Sequence, residues 1–228
     1  MASEWQTVEH ACAYLRRADK LPHRGEGEET LLAEVPNHCA RICDLGSGDG
    51  RLLGLLLLKC PKAEGVALDF SEPMLAQLRT RFAHNARVQI VAHDLARRLP
   101  SLGAFDAIVS SFAIHHLAHT RKRELYQEVW SALRPGGIFC NLEHVASPNG
   151  RVHERFLEAF GITSADEDPS NQLLDVETQL HWLREIGFSD VDCYWKWREL
   201  ALLIGRKPGT VSLSEGACVQ ERRGAMVK

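Results

Sequence analysis

Short apolar segments alternate with longer amphipathic segments along the chain from about residue 41 onward. The apolar segments fit buried parallel strands, and the amphipathic segments have helical periodicity. Predicted strands occupy Arg41–Leu45, Ala63–Leu68, Val88–Ala92, Phe105–Ser110 and Ile138–Leu142, and predicted helices occupy Arg51–Lys59, a segment opened by Ser71-Glu72-Pro73, and about Thr120–Leu133. Alternation of this kind predicts a parallel sheet covered by helices on both faces.

The pattern changes after residue 145. The later predicted elements are helices over Asn149–Phe160 and Val176–Ile186 and strands over Val191–Trp197 and Leu200–Ile204. The last two strands are joined too tightly for a helical crossover, so we expect them to pair antiparallel. We therefore predict one domain over residues 41–206 with an insertion at about residues 146–174, which is called the insert below.

The two ends of the chain differ from this central domain. Residues 1–40 are predicted to be helical in part, with one apolar stripe formed by Val8, Ala11, Cys12 and Leu15. Residues 207–228 contain few apolar residues, so we expect them to form a disordered tail.

Composition narrows the class of protein. The chain has 228 residues, enough for one sizeable core, and its 45% hydrophobic and 25% charged residues are ordinary for a soluble globular protein. A formal net charge of −3 provides no overall attraction to nucleic acid or to an anionic membrane. No apolar run approaches the roughly 20 residues of a transmembrane helix, and residues 1–8 lack the order of a signal peptide.

The cysteines favour a reducing compartment. There are seven, an odd number, and three of them, Cys43, Cys60 and Cys140, lie in or beside apolar segments. The four-residue spacing of Cys39 and Cys43 is only a weak zinc signal, and no cluster has metal-binding spacing, so no metal is expected. Reduced core thiols in a cytoplasmic protein are the preferred interpretation.

The loop Gly46-Ser47-Gly48-Asp49-Gly50 follows the first predicted strand and leads directly into a helix. A glycine loop between a strand and a helix is typical of a nucleotide site at the carboxyl end of a parallel strand. The pyrophosphate fingerprint needs a glycine where Arg51 stands, and Asp44 would repel a pyrophosphate. An aspartate there suits an ammonium group, so the loop predicts a nucleoside that carries an amino acid and no phosphate.

Four stretches carry a resemblance to the Rossmann-like (class I) S-adenosylmethionine-dependent methyltransferases of small-molecule type: Cys43–Gly50, Ala67–Leu75, Phe105–Ser111 and Leu133–Gly137. The resemblance implies a three-layer α/β sandwich around a seven-stranded, mostly parallel sheet whose last strand is antiparallel. It also implies transfer of a methyl group from S-adenosylmethionine to an oxygen, nitrogen or carbon nucleophile of a small molecule, with S-adenosylhomocysteine as the product.

The resemblance further implies which residues bind the cofactor. They would contact its methionine part (Gly46, Ser47, Gly48), its ammonium (Asp44, and the backbone of Ser110 and Ser111), its ribose (Asp69), its adenine (Phe70, Met74, Asp94, Leu95) and its carboxylate (Arg24). Alternatives stay open, because Asp44 and Asp69 could cap helices, Asp94 could serve a turn, and Arg24 could be solvated.

Candidate acid–base residues follow the fourth and fifth strands. His115, Glu143 and His144 lie where this architecture binds ligands, and each could remove a proton from an acceptor. In the alternative interpretation, His115 caps the sheet edge and Glu143 pairs with a basic group. In the same alternative, His116 begins a helix. No functional role is predicted for the remaining histidines.

Aromatic residues are dense in Tyr194–Arg198. Strand alternation predicts Tyr194 and Lys196 on one face and the two tryptophans, Trp195 and Trp197, on the other. Packing in the core is favoured over lining of an acceptor pocket.

The acceptor pocket is expected between the N-terminal segment, which would cover the active site, the region of His115 and His116, and the insert. Acidic residues of the insert mildly disfavour an anionic acceptor. Two alternatives to a small-molecule enzyme remain, a methyltransferase acting on RNA or protein and a non-catalytic S-adenosylmethionine-binding regulator. No nucleic-acid or membrane partner is expected, and the sequence leaves the oligomeric state open.

Overall fold

A computed structural model describes residue 7 and residues 22–209. Within this part, one seven-stranded sheet contains β1 (Arg41–Leu45), β2 (Glu64–Asp69), β3 (Val88–Ala92), β4 (Phe105–Ser111), β5 (Leu133–His144), β6 (Ser189–Trp197) and β7 (Leu200–Arg206). The strand order is β3-β2-β1-β4-β5-β7-β6. Neighbours among β1 to β5 are parallel, and β7 is antiparallel to both β5 and β6. The predicted sheet and its antiparallel end are confirmed.

Helices cover both faces of the sheet. They are α1 (Arg24–Glu34), α2 (Arg51–Lys59), α3 (Glu72–Arg81), α4 (His119–Ala132), α5 (Gly150–Phe160) and α6 (Val176–Ile186), with short 3-10 turns at Ile114–His116 and Ser164–Asp166. Leu31, Leu53 and Leu75 of α1 to α3 pack into one core cluster, whereas Val129 and Leu183 of α4 and α6 pack into the other. The three-layer α/β sandwich is confirmed.

Strand alternation separates these two cores. In β1, Ile42 belongs to one cluster and Cys43 to the other, and in β4 Ala107 and Ile108 divide in the same way. Because both faces are buried, these strands are apolar throughout, as expected of parallel strands between helical layers. The cysteines predicted to lie in the core, Cys43, Cys60 and Cys140, are buried free thiols.

Local end signals explain most helix boundaries. The Asn149 side chain accepts a hydrogen bond from the Val152 N–H and caps α5, and Gly187 ends α6 with φ of 112°. Ser71 stands at the predicted cap position of α3, but its side chain makes no capping hydrogen bond.

Two details of the strand predictions are wrong because of backbone irregularities. The segment Pro135-Gly136-Gly137, which precedes the predicted strand Ile138–Leu142, lies within β5, which shifts register opposite Phe105 and Ala107. A second shift between Cys193 and Trp195 breaks the alternation of β6, so that Tyr194 packs on the same cluster as Trp195 and Trp197.

The predicted stripe of Val8, Ala11, Cys12 and Leu15, and the tail from residue 210 onward, lie outside the described residues. The part of the N-terminal segment that is described contains α1, whose Gly27 fits closely against Trp195 and Leu142. None of the helices that the structure describes has the length and apolar character needed to cross a membrane.

Candidate functional site

The glycine loop connects β1 to α2 with three left-handed residues, since φ is 69° at Gly46, 56° at Gly48 and 82° at Gly50. A Cβ on Gly46 would lie 2.3 Å from the Ala113 Cβ, and one on Gly50 would lie 2.6 Å from the Phe82 ring. A Cβ on Gly48 would meet no protein atom within 4 Å. Packing therefore demands glycine at the first and third positions, whereas Gly48 leaves open backbone against which a ligand can lie.

Asp69, at the end of β2, joins this loop to the second strand. Its Oδ2 accepts a hydrogen bond from the Gly48 N–H at 2.8 Å, and its Oδ1 accepts one from the Ser71 N–H at 2.9 Å. Burial raises the pKa of the carboxyl, and these backbone donors oppose the rise. Since each carboxylate oxygen can accept a further hydrogen bond, the fixed side chain still suits the vicinal hydroxyls of a ribose.

Asp44, at the end of β1, is buried with only 1% of its surface exposed. Neither carboxylate oxygen has a hydrogen-bond partner in the described part of the chain, and the Ser47 hydroxyl donates instead to the Asp44 carbonyl at 3.0 Å. Burial raises the pKa of Asp44 to about 7, although the nearby Ser47 side chain partly lowers it. Burying an ionised carboxylate without a partner costs folding free energy, so this site is suited to a cationic group such as an ammonium.

The remaining residues predicted to bind the adenine differ in their burial and contacts. Met74 and Leu95 are buried, Phe70 is half-buried at the end of β2, and a Leu95 methyl lies 3.7 Å from where a Gly46 Cβ would be. Asp94 accepts a hydrogen bond from the Ala96 N–H at 2.9 Å, which is the turn role left open above. Their contacts with a cofactor stay predictions.

The two serines that end β4 behave differently. The Ser110 hydroxyl donates to the Leu45 carbonyl at 2.8 Å and ties β4 to β1. The Ser111 hydroxyl is buried without a hydrogen-bond partner among the residues that the structure describes. Together with Asp44, it is a polar group that a ligand at this edge could satisfy.

Arg24 is not a free surface arginine. Its Nε donates to the Glu28 carboxylate at 2.8 Å, and Arg51 contacts the same carboxylate from α2 at 2.8 Å. Burial raises the pKa of Glu28, but the hydrogen bonds and charges of Arg51 and Arg24 outweigh it, and the net shift is downward. This triad fastens α1 beside the glycine loop, and contact of Arg24 with a cofactor carboxylate stays a prediction.

A second buried group lies at the ends of β4 and β5. The His115 Nδ1 and the Glu143 Oε1 are 2.6 Å apart, and the two side chains are 8% and 1% exposed. Burial, assisted by His144 and Lys122, holds the pKa of His115 well below its usual range. Burial also raises the pKa of Glu143 to about 7, against the opposing charge of Lys122. The pair is a neutral imidazole bonded to a carboxyl that ionises near neutral pH.

A series of buried side-chain hydrogen bonds leads from Glu143 into the protein interior. The Asn141 Nδ2 lies 3.4 Å from Glu143 Oε2 and donates to the Tyr126 hydroxyl at 3.2 Å. The Tyr126 hydroxyl in turn donates to the Gln179 Oε1 at 2.6 Å. This chain of bonds restricts the orientation of the carboxylate.

Lys122 fastens the insert beside His115. Its ammonium is buried and lies 2.8–3.0 Å from the carbonyl oxygens of Ile114, His115, Leu117 and Gln172. The backbone N–H of Gln172 also donates to the His115 carbonyl at 2.9 Å. The ammonium of Lys122 hydrogen-bonds to carbonyl oxygens, so it acts on Glu143 through its charge and not through a direct ion pair.

His144 belongs to a separate cluster. Its Nε2 is 3.0 Å from the Glu199 Oε2, while the Glu199 Oε1 is 2.9 Å from the His153 Nδ1 and also accepts from Ser147. His153 lies on α5, and its Nε2 is 3.1 Å from the Glu167 carboxylate. Neither Glu199 nor His153 was predicted from the sequence, because no local motif marks either residue.

All three predicted acid–base residues therefore lie at the same edge of the sheet as Asp44 and Asp69. The strands β2, β1, β4 and β5 are neighbours and parallel, so their carboxyl ends form one continuous rim. Lys122 was also missed, since it reads as a surface residue of an amphipathic helix. Among the described residues, no group of three or more His, Cys, Asp or Glu side chains is arranged to hold a metal ion.

Residues 42–137 match the family described as a methyltransferase domain. A demethylmenaquinone methyltransferase of Clavibacter sepedonicus is 31% identical over 179 residues, covering 72% of this chain and 71% of the relative. A carboxy-S-adenosyl-L-methionine synthase of Helicobacter hepaticus is 24% identical over 183 residues, covering 73% and 75% of the two chains.

A solved structure shares the fold. It is an O-methyltransferase family protein from Burkholderia thailandensis with a TM-score of 0.72 and 17% identity, and the match covers 91% of this chain. The chain spans 63% of the length of that protein, and at such identity the likeness shows the fold alone.

The site residues agree with the cofactor of this family. The unpaired Asp44 carboxylate suits an amino-acid ammonium, and the open face of Gly48 leaves room for the backbone to approach a ligand. Contact of Asp69 with a ribose stays a prediction. The resemblance first indicated by four sequence stretches is thus confirmed at the level of the family, and the chain belongs to the class I S-adenosylmethionine-dependent methyltransferases.

Proposed function

We propose that this methyltransferase acts on a small molecule and that His115, paired with Glu143, removes a proton from the acceptor. The observation that carries the proposal is the buried 2.6 Å contact between the His115 Nδ1 and the Glu143 Oε1 on the rim that also carries Asp44 and Asp69. A histidine oriented by a carboxylate is a common general base.

The chemistry divides between cofactor and chain. S-adenosylmethionine, when bound, supplies an electrophilic methyl group. An ionised Glu143 accepts a hydrogen bond from the His115 Nδ1–H, which leaves the lone pair on Nε2. That nitrogen would take the proton of the acceptor as the nucleophile bonds to the methyl group and the sulfur–methyl bond breaks, with S-adenosylhomocysteine as the leaving group. Glu143 would stabilise the resulting imidazolium.

The surroundings favour a small acceptor with an aromatic or apolar body. Phe156 of the insert packs 5.2 Å from the His144 ring and 6.4 Å from the Trp197 ring, measured between centroids. The insert is fastened to the rim by Lys122 and Gln172, which limits access by a large polymer. The name of the demethylmenaquinone methyltransferase relatives is consistent with an aromatic acceptor of this kind.

A screen with methyl-labelled S-adenosylmethionine tests the proposal. Phenols, hydroquinones and amines would be offered in parallel with RNA and peptides, using the wild type and two histidine variants. We expect label in a small molecule, a loss of about 100-fold or more in His115→Gln, and unchanged S-adenosylmethionine affinity in that variant.

The control variant is His181→Gln, which removes a histidine from the exposed His181–Glu185 pair on α6 and should transfer at the wild-type rate. Label found only in RNA or peptide would overturn the small-molecule assignment in favour of a macromolecular methyltransferase. Cofactor binding without transfer to any acceptor would indicate a regulatory protein, and a carboxylated cofactor would indicate the activity named for the Helicobacter relative.

A further inference from the structure

Glu199 lies in the short connection between β6 and β7 and is 1% exposed, although the activity described above gives it no role. Its backbone carbonyl accepts from the Val145 N–H at 2.8 Å, directly after the rim strand β5. Its two carboxylate oxygens point in different directions, Oε2 toward His144 and Oε1 toward Ser147 and His153. One buried carboxylate therefore joins the rim to the insert.

The protonation of this cluster follows from its geometry. Burial raises the pKa of Glu199, but the hydrogen bonds from His144, Ser147 and His153 outweigh it and the net shift is downward, so the side chain is ionised. An ionised carboxylate only accepts hydrogen bonds. His144 must then donate through Nε2–H, and its lone pair is held on Nδ1 when the ring is neutral.

His153 connects the same carboxylate to the outer part of the insert. Its Nδ1 is 2.9 Å from Glu199 and its Nε2 is 3.1 Å from Glu167. Because both neighbours are acceptors, both bonds form together only when His153 is an imidazolium. The result is a continuous sequence of contacts from Glu167 through His153 and Glu199 to His144 on the rim.

We propose that Glu199 is a positioning residue that holds His144 in the Nε2–H tautomer and ties it to the insert, so that the rim is assembled only while the insert is closed. The inference rests on the proposed function for its catalytic meaning, because the insert and rim would enclose the acceptor. The His144 ring lies 5.7 Å from the His115 ring in an edge-on arrangement, measured between centroids, so its orientation bears directly on the general base.

The experiment compares the wild type with Glu199→Gln by three measurements. Nitrogen–proton spectra of protein with labelled histidine report the tautomer of each ring, and the His144 signal is assigned by its loss in His144→Gln. Hydrogen exchange of α5 reports closure of the insert. Methyl transfer and S-adenosylmethionine affinity report function.

In Glu199→Gln we expect His144 to lose its single tautomer, α5 to exchange about tenfold faster or more, and transfer to fall about tenfold or more with unchanged cofactor affinity. The matched control is Glu185→Gln, which removes the carboxylate of an exposed histidine pair at 3.2 Å and should change none of these. His153→Gln separates the contact of Glu199 with the insert from its contact with His144, since it should loosen α5 while leaving the His144 tautomer intact.

An unchanged His144 tautomer, or unchanged exchange of α5, in Glu199→Gln would overturn the inference even if an acceptor is found. A loss of transfer with an unchanged tautomer would reduce Glu199 to a structural residue. Because the spectra and the exchange need no acceptor, failure to find any methylated small molecule would count against the proposed function and not against this role of Glu199.

Discussion

The rim has a β1–β2 half and a β4–β5 half, and only the first contains a buried carboxylate, that of Asp44, without a partner in the described part of the chain. In the β1–β2 half, neither oxygen of Asp44 has a hydrogen-bond partner in the described part of the chain. In the β4–β5 half, Glu143 contacts His115, and Glu199 accepts from side chains on both sides. The Asp44 carboxylate is therefore available to a ligand, whereas the carboxylates of Glu143 and Glu199 already have partners within the protein.

This difference has a consequence for substitutions. Removing an unpaired polar group can be neutral or stabilising, while removing one partner of a buried pair leaves the other unsatisfied. Substitution of Asp44 in the β1–β2 half should therefore act mainly on cofactor affinity. Changes in the β4–β5 half should reduce both methyl transfer and the stability of the fold.

The largest effect is expected from Glu143→Gln, with a loss of about 100-fold to 10,000-fold in methyl transfer and little change in cofactor affinity. In the wild type the rate should rise as pH increases through about 7, because ionised Glu143 is the form that accepts from the His115 N–H. Rate profiles against pH, measured with calorimetric titration of S-adenosylmethionine, check both points.

The control for Glu143→Gln is Glu72→Gln, which removes an exposed carboxylate that pairs with Arg79. A variant at Glu143 that keeps the wild-type rate and pH profile would contradict the assignment of this pair to proton removal.

Asp69→Ala should weaken S-adenosylmethionine binding by about 100-fold, because the ribose would lose hydrogen bonds to a charged acceptor. The Gly48 N–H would also lose its acceptor, so the free loop should become less ordered. Calorimetric titration measures the affinity, and an affinity within twofold of the wild type would show that the cofactor is bound elsewhere.

Two glycine variants distinguish a loop position that is packed against the protein, Gly46, from one that is open to a ligand, Gly48. Gly46→Ala should destabilise the protein by about 3 kcal/mol, since its Cβ would meet the Ala113 Cβ at 2.3 Å in a left-handed conformation. Gly48→Ala should cost about 1 kcal/mol of stability and weaken cofactor binding about tenfold, because its methyl group enters the open space. Chemical denaturation and titration separate the two effects, and equal stabilities of the variants would contradict this difference.

A pH-dependent effect concerns the protonation of the Asp44 carboxyl. The pKa of Asp44 in the folded protein, about 7, lies above the usual value of an aspartate. Protonation of Asp44 therefore stabilises the cofactor-free protein at pH values below the pKa of the unfolded chain. This stabilisation is lost as pH rises to about 7. An ammonium beside the ionised carboxylate restores a partner. Cofactor affinity should therefore increase with pH between about 5 and 7, by at most about tenfold per unit.

Asp44→Asn should abolish this pH dependence of affinity, because the amide does not titrate. Titrations in buffers with different ionisation enthalpies would show a proton released from the wild type and none from the variant. An affinity that is independent of pH in the wild type would show that Asp44 does not contact the ammonium.

Sequence reasoning was most successful where the signal is local. The bounds of β1, α2, β3 and α6 were predicted to the residue, because apolar runs, glycines and capping residues lie within a few positions of the elements they define. It was wrong at β6, where one irregularity between Cys193 and Trp195 reversed the facing of Tyr194. A bulge depends on how the partner strand pairs, which no short pattern records.

The sequence alone determined the strand–glycine loop–helix unit, the carboxylates at the ends of β1 and β2, and the placement of His115, Glu143 and His144 on one rim. Only the tertiary structure decided which of these side chains meet and what holds them. Lys122 and Gln172 are 50 residues apart, and His144 and Glu199 are 55 apart. Contacts at such separation depend on how whole layers pack, so the β1–β2 half could be derived from local chemistry and the β4–β5 half could not.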